Sequence, residues 1–313
     1  MKIISKTTNI DFLSTRRRRI ALVISALLVV VSLVSLATRG LEFGIDFTGG
    51  ILLEVGYSEA ANLDEIRSNL SAAGFPEAQV QRFGRDTDVL VRLPPQPGNE
   101  ASEVREKLKR TLEADGESIE LRRVEFVSAQ VGSELAERGA LAMVIALLMI
   151  FVYVMIRFQW KFSAGAVAAL AHDATVTVGF FSIFGFPFDL TVVAAVLAVI
   201  GYSLNDTVVV FDRIRENFFT LRGVTPELAM NISVNEMLAR TVITGLTTLL
   251  VLVALLVLGG ESIAPFSIAL IVGIIVGTYS STYTASATAL ELNVNVQDLI
   301  EPIKDPTLID DLP

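Results

Sequence analysis

Six stretches of this chain stay apolar for the length of a bilayer crossing, and that pattern leaves very few folds open. Residues 20–38, 139–156, 241–260 and 262–290 carry no charged side chain, whereas 162–188 is interrupted by His172 and Asp173, and 190–211 by Asp206. A hydrocarbon core about 30 Å thick needs roughly 20 apolar residues in a helix. It offers no water to open backbone groups, so these spans are expected to be helices. Composition agrees, since 52% of the 313 residues are hydrophobic, only 19% are charged and the mean hydropathy is +0.59. Soluble domains carry about 25% charged residues.

Several function classes drop out at once. Without cysteine there is neither a disulfide framework nor a thiolate metal site. His172 is the single imidazole, which speaks against a His-rich metal centre. The net charge of −9 speaks against nucleic acid as a partner. No phosphate-binding loop, HExxH or usable Ser-His-Asp order is present, so no enzyme activity, metal or cofactor is expected. Asp173 and Asp206 lack the flanking motifs of aspartyl intramembrane proteases.

The first span follows Arg16–Arg19 and could pass for a signal peptide, with Ser35-Leu36-Ala37 as a cleavage site. Its apolar run is longer than an h-region, so it reads as a retained anchor. Arg157 and Lys161 lie between spans two and three, and Arg213, Arg215 and Arg222 between four and five. The opposite short loops carry no Lys or Arg. The positive-inside rule then places both termini in the cytoplasm and residues 39–138 outside. The expected organisation is a tail at 1–19, an anchor helix at 20–38, an outer α/β domain at 39–138, five helices within 139–290, and an acidic, disordered cytoplasmic tail at 291–313.

The outer segment reads strand 51–55, helix 62–73, strands 79–83 and 88–93 about a Gly84-Arg85-Asp86-Thr87 turn, helix 100–113, an Asp115-Gly116 turn and strand 118–127. The order βαββαβ predicts a split βαβ, ferredoxin-like fold. Pro94-Pro95-Gln96-Pro97-Gly98 reads as a stiff connector.

Ionisable groups inside spans cost about 2.5–3.5 kcal/mol each even on insertion scales, so each needs a reason. Asp206 lies six residues before Asp212, roughly 9 Å inside the border at 1.5 Å per residue. The capping-box pattern Ser233-Val234-Asn235-Glu236 predicts a helix start near Ser233, placing Arg240 about two turns in. An Asp206–Arg240 ion pair is then expected between antiparallel neighbours. Burial favours a neutral carboxyl and a nearby guanidinium favours a carboxylate, so moving Arg240 would bind or release a proton. Asp173, beside His172, would relay or share it. The alternative is that these groups only bond helices together. Gly273-Ile274-Ile275-Val276-Gly277, followed by Ser280, Ser281, Thr284, Ala285 and Thr288, predicts close helix packing, within the chain before between copies.

Three motifs carry a family resemblance: Phe43-Gly44-Ile45-Asp46-Phe47-Thr48-Gly49-Gly50 after the first span, Ala171-His172-Asp173 in the third, and Gly201-Tyr202-Ser203-Leu204-Asn205-Asp206 followed by Phe211-Asp212-Arg213-Ile214-Arg215-Glu216-Asn217 in the fourth. With one helix, an outer domain and five more helices, the chain resembles the SecF family of bacterial protein-translocase subunits over nearly its whole length. The resemblance implies half of a resistance-nodulation-division (RND) type machine in the bacterial inner membrane, paired with SecD and using proton flow to draw unfolded polypeptides outward after SecYEG and SecA. YajC is a further implied partner, and lipid surrounds the spans. It also implies proton-pathway roles for Asp206, Arg240 and Asp173, with His172, Asn205 and Asp212 as relay or packing residues. Gly44, Asp46, Gly49 and Gly50 belong to a structural signature, with the two glycines allowing a tight entry into the first strand. The competing reading is half of a proton-coupled small-molecule or lipid exporter of the same superfamily, although such exporters usually carry two outer domains and twelve helices in one chain.

Overall fold

Sidedness of burial explains the first helix. In the computed structural model, which describes residues 9–95, 101–113, 119–221, 223–260 and 263–294, α1 spans Thr15–Thr38. It buries Ala21, Ser25, Ser32 and Ser35 and exposes Val23, Leu27, Val30 and Val34. Small polar groups face inward and large apolar ones outward, the reverse of a soluble helix, because lipid is as apolar as leucine and close approach is what bonds helices. Ser35 pairs with Ser182 at 2.8 Å, Ser25 with Thr284 at 2.9 Å. The helix starts before the apolar run at Ile20, since its arginines continue it beyond the hydrophobic stretch. Ahead of it, buried Phe12 and Leu13 are tied down by Asn231, which accepts from Phe12 N at 2.7 Å, and by Asn235, which accepts from Ile10 N at 2.8 Å.

A short strand β1 (Glu42–Phe43) and a single turn α2 (Ile45–Thr48) lead into β2 (Gly50–Gly56). Next come α3 (Leu63–Ala72), β3 (Gln79–Phe83), β4 (Arg85–Leu93), α4 (Ala101–Leu112) and β5 (Glu120–Val127). The sheet order is β3-β4-β2-β5, and every neighbouring pair is antiparallel. Leu53, Val55, Val89 and Val91 lie under Ile66, Leu70, Val104 and Leu108 of the two helices in one apolar cluster. Asn62 caps α3, and Gly74 ends it at φ +94°. Gln96, Pro97 and Gly98, the Asp115-Gly116 turn, Ser118, Arg222 and the tail beyond residue 294 lie outside the described residues.

The remaining helices are α5 (Ala129–Arg157), α6 (Trp160–Phe184), α7 (Leu190–Thr220), α8 (Pro226–Leu258) and α9 (Ala264–Ser280), with strand β6 (Pro187–Phe188) between α6 and α7. A π-helical turn, Ser281–Ala285, separates α9 from α10 (Ser286–Glu291). Together with α1 they provide, among the described residues, six helical spans long and apolar enough to cross a bilayer. The helix expected to begin near Ser233 begins at Pro226, capped by Thr225, whose hydroxyl accepts from Leu228 N at 3.3 Å. Ser233 lies inside the helix and donates to Ala229 O at 2.7 Å. Proline at the first helical position with a threonine before it outweighs the capping box. Arg213 and Glu236, 2.6 Å apart, join α7 to α8, and Asn217 donates to the same Glu236 oxygen at 2.7 Å.

Asp88 of β4 is the best-held carboxylate of the α/β unit, with Arg122 at 2.7 Å, Arg85 at 2.9 Å and Thr87 at 3.0 Å. Gly56 leaves room for the guanidinium, because a Cβ there would meet Arg122 Nη2 at 2.8 Å. Burial alone would raise the Asp88 pKa, but the hydrogen bonds from Arg85, Arg122 and Thr87 together hold it below the ordinary carboxylate value. A lowered folded pKa stabilises above the unfolded value of about 3.9 and loses that stabilisation as pH falls through the folded value. Asp88→Asn is therefore expected to cost about 1–3 kcal/mol at neutral pH. In thermal melts the gap to the wild type should close below about pH 4.

Candidate functional site

Polar groups in the membrane region gather where α6, α7 and α9 meet. Asp173 lies near the middle of α6 with no exposed surface, and its neighbour His172 is 3% exposed. Nδ1 of His172 is 3.0 Å from Asp173 Oδ1. The other carboxylate oxygen accepts from Ser203 of α7 at 2.5 Å and Ser280 of α9 at 2.7 Å. These donors reach Asp173 because α9 packs tightly: a Cβ at Gly273 would meet Val199 at 2.1 Å, and one at Gly277 would meet Ser203 Cβ at 3.2 Å and Asp173 Oδ2 at 3.5 Å. The GxxxG face is thus used within the chain. The His172 ring lies against Tyr279, with centroids 6.3 Å apart, and its buried Nε2 has no partner among the described residues.

Asp206, farther along α7, is half-buried. Its Oδ1 accepts from Thr241 of α8 at 2.8 Å, and Oδ2 from Ser281 at 2.8 Å. The expected ion pair with Arg240 is not formed. Thr241 turns inward to Asp206, so Arg240, one residue earlier and about 100° around the helix, points outward and is exposed. Asn205 is exposed too. Asp212 pairs with Arg157 of α5 at 2.6 Å, an ion pair between helices near their charged ends. Among the described residues no group of three or more His, Cys, Asp and Glu could hold a metal ion.

The Gly44–Gly50 motif sits at the opposite end of α7. Strand β1 pairs in parallel with β6, Glu42 to Pro187 and Phe43 to Phe188, and Gly44 N donates to Phe188 O at 2.8 Å. A Cβ at Gly44 would meet Asp189 Cβ at 3.0 Å. Asp46 Oδ2 accepts from Leu190 N at 3.0 Å, while Asp189 caps the same helix end by accepting from Val192 N at 3.0 Å. Two carboxylates therefore share the free N–H groups at the start of α7, where the helix dipole favours negative charge. Gly49 has φ +70° and Gly50 φ +119°, and a Cβ on Gly50 would lie 2.1 Å from Leu93 O. This is the tight entry into β2 expected of the glycine pair. Gly132 at the start of α5 packs on the same turn, since a Cβ there would meet Gly49 N at 2.8 Å. Arg92 of β4 lies beside this junction, its Nη1 3.5 Å from Phe43 O. Burial lowers its pKa from the ordinary guanidinium value, against the opposing pull of Glu42, Asp189 and Asp46.

Reading residues singly misses the donors. Ser203, Ser280, Ser281 and Thr241 carry no charge, and Ser280 and Ser281 look only like small packing residues. Their one signal is position: hydroxyls recur where the helices bearing Asp173 and Asp206 must be approached.

Comparison with known proteins places the whole arrangement in one group. The family profile described as protein export membrane protein SecD/SecF, C-terminal, matches residues 107–295, and the SecD/SecF GG motif profile matches residues 34–61. The protein translocase subunit SecF of Pseudomonas aeruginosa is 47% identical over 310 residues, covering 98% of this chain and 99% of the relative. The subunit of the same name from Vibrio alginolyticus is 45% identical over 288 residues, covering 92% and 91%. The crystal structure of SecDF, a translocon-associated membrane protein from Thermus thermophilus, superimposes with a TM-score of 0.84 at 35% identity. That match covers 94% of this chain and 40% of the longer SecDF chain. A SecDF structure in a super-membrane-facing form gives a TM-score of 0.66 at 36% identity, covering 91% and 39%.

The geometry at the start of α7 sets an expectation for Asp46. Asp46→Ala should lower the thermal stability of the detergent-purified protein by about 0.5–2 kcal/mol, the usual cost of losing a helix cap. Asp46→Asn, which keeps an acceptor oxygen, should lose less, and equal losses would show that the bond to Leu190 N is not what Asp46 supplies.

Proposed function

Because the chain belongs to the SecF family of protein-translocase subunits, we propose that it pairs with a SecD subunit in the bacterial inner membrane and couples proton flow to the outward movement of unfolded polypeptides. The supporting observation is the placement of Asp206: a carboxylate inside a span, held by hydroxyls of α8 and the π-helical turn, with the guanidinium-bearing residue next to one donor left facing outward. SecYEG and SecA would begin export and this subunit would act after them, with YajC as a further associated protein. The chain acts here as a transport subunit and not as an enzyme. Both termini are assigned to the cytoplasm and the 39–138 segment, read as ferredoxin-like, to the periplasm, following the distribution of Lys and Arg.

Two exposed faces support pairing with a second membrane subunit. Arg240, Thr244 and Thr247 recur at i, i+4 and i+7 on α8, and all are exposed. On α7 the exposed residues Ala194, Ala198, Gly201 and Asn205 form a stripe of small and polar side chains. Exposed Arg240 and Asn205 do not suit lipid, whereas a second helix gains close contact from the small residues and gives a charged side chain a partner. In this arrangement Arg240 faces the SecD half, and its distance from Asp206 changes as the halves rock. Approach of the guanidinium favours the carboxylate, and withdrawal into a dry site favours the neutral acid.

The decisive experiment is charge-neutral replacement. In vesicles holding the complete translocase, Asp206→Asn should reduce gradient-stimulated export to the level seen without a gradient, while the variant still co-purifies with SecD. Export that keeps its full dependence on the gradient in an assembled Asp206→Asn complex would overturn the reading.

A further inference from the structure

We propose that Ser280 and Ser281 join Asp173 and Asp206 into one coupled proton site, so that protonation of either carboxyl changes the proton affinity of the other. The proposal rests on the reading of Asp206 as a proton site and extends it to a second carboxyl and to two positioning residues.

The two serines are consecutive, yet they serve different helices. Ser280 Oγ lies 2.7 Å from Asp173 Oδ2 and 3.2 Å from Gly277 O. Ser281 Oγ lies 2.8 Å from Asp206 Oδ2 and 3.3 Å from Thr278 O. A serine hydroxyl has one proton to donate and two lone pairs to accept with. Each serine therefore has two settings at fixed heavy-atom positions. Facing a carboxylate, it donates to the carboxylate oxygen. When that carboxyl takes up a proton on Oδ2, the new O–H donates to Oγ, and the serine proton turns to the main-chain carbonyl three residues back. The proton count balances, since one proton is gained by the carboxyl and the serine keeps its own.

The positions of the two donors are linked through the backbone. Ser280 ends α9 and Ser281 opens the π-helical turn, so both hydroxyls hang on the point where the helical hydrogen-bond register first widens. Such turns are frequent at functional sites. Moving that register by one residue along the helix carries both donors with it. The groups around the pair are few. Asp173 meets His172 on its own helix, Ser203 from α7 and Ser280, and Asp206 meets Thr241 from α8 and Ser281. Among the described residues, the other ionisable side chains adjoining these groups in the chain are Tyr279, whose ring lies against His172 and against Tyr283 of the π-helical turn, Tyr202 beside Ser203, and Arg240, which is next to Thr241 but exposed. The two carboxyls are thus joined through adjacent residues of one backbone segment, each of which gives its hydroxyl to one of them.

The test is infrared titration of the carboxyl C=O bands in the purified complex with SecD in lipid. The band of each aspartate is assigned by its loss in Asp173→Asn and Asp206→Asn. Ser280→Ala removes a donor from Asp173 only. It is nevertheless expected to shift the titration midpoint of Asp206 as well, on the scale of about one pH unit that marks interacting sites. Ser281→Ala should do the converse, and Ser→Thr at either position should restore both midpoints. If Ser280→Ala does not fold, Ser280→Cys, a weak donor of similar size, takes its place. Shifts confined to Asp173 for the position 280 variants and to Asp206 for the position 281 variants would overturn the proposal. This titration needs neither gradient nor export, so it fails or succeeds independently of the vesicle experiment on Asp206→Asn.

Discussion

A carboxyl with no exposed surface inside a membrane protein must be given its hydrogen bonds by the protein, and the packing around Asp173 follows from that requirement. An unmet polar group in an apolar medium costs several kcal/mol. Asp173 draws on its own helix through His172, on α7 through Ser203 and on α9 through Ser280. Hydroxyl side chains are short, so the backbones carrying them must come close, and only small residues permit that. Gly277 admits Ser203 and the carboxylate, Gly273 admits Val199, and a Cβ at Gly165 would lie 2.5 Å from Ala285 O. The small-residue faces of α6 and α9 are therefore part of the polar site, because they set the distance at which its donors act.

The same helix serves both ends of the molecule. α7 receives Asp46 and Asp189 at its first turn and carries Ser203 and Asp206 farther on. Sixteen residues separate Leu190 from Asp206, roughly 24 Å at the helical rise. Around the first turn of α7 the β1–β6 pair, the glycine motif and Gly132 of α5 lock the base of the α/β unit to the spans. The bonds from Leu190 N to Asp46 and from Gly44 N to Phe188 O tie the start of α7 to the root of the sheet. Under the proposed function, α7 would carry a change at the carboxyls to the α/β unit through one continuous helix.

The parts of this design legible from single residues are those that periodicity and composition encode. Six spans, the strand and helix order between Gly50 and Val127, the Asn62 cap and the need for small residues at Gly49 and Gly50 all leave a local trace. Helix ends were harder to read: Ser233 and Glu236 mimic a capping box while Thr225 and Pro226 begin the helix, because a buried hydroxyl inside a helix can satisfy itself on the carbonyl four residues back. The hydroxyl donors to the two carboxyls were not legible, since serine in a small-residue helix face carries the same signal whether it packs or bonds. The expected Asp206–Arg240 pair shows the limit most clearly. Both residues lie at the same end of neighbouring helices, but Thr241, one position on, takes the inward place, and a turn of about 100° per residue sends Arg240 to the other side.

Energy scale decides which parts of such a site a proton gradient can rearrange. One proton crossing 100 mV supplies about 2.3 kcal/mol. A hydrogen bond to a charged group has a net worth of about 1.5–3 kcal/mol. The gradient can therefore turn a hydroxyl from carboxylate to carbonyl, or exchange Thr241 for a nearby guanidinium at Asp206. Under the proposed function, the moving parts are then the hydroxyl rotors, the π-helical turn and the exposed arm of Arg240. In that reading the tightly packed α6–α7–α9 contact is the body that would carry the outcome to the base of the α/β unit.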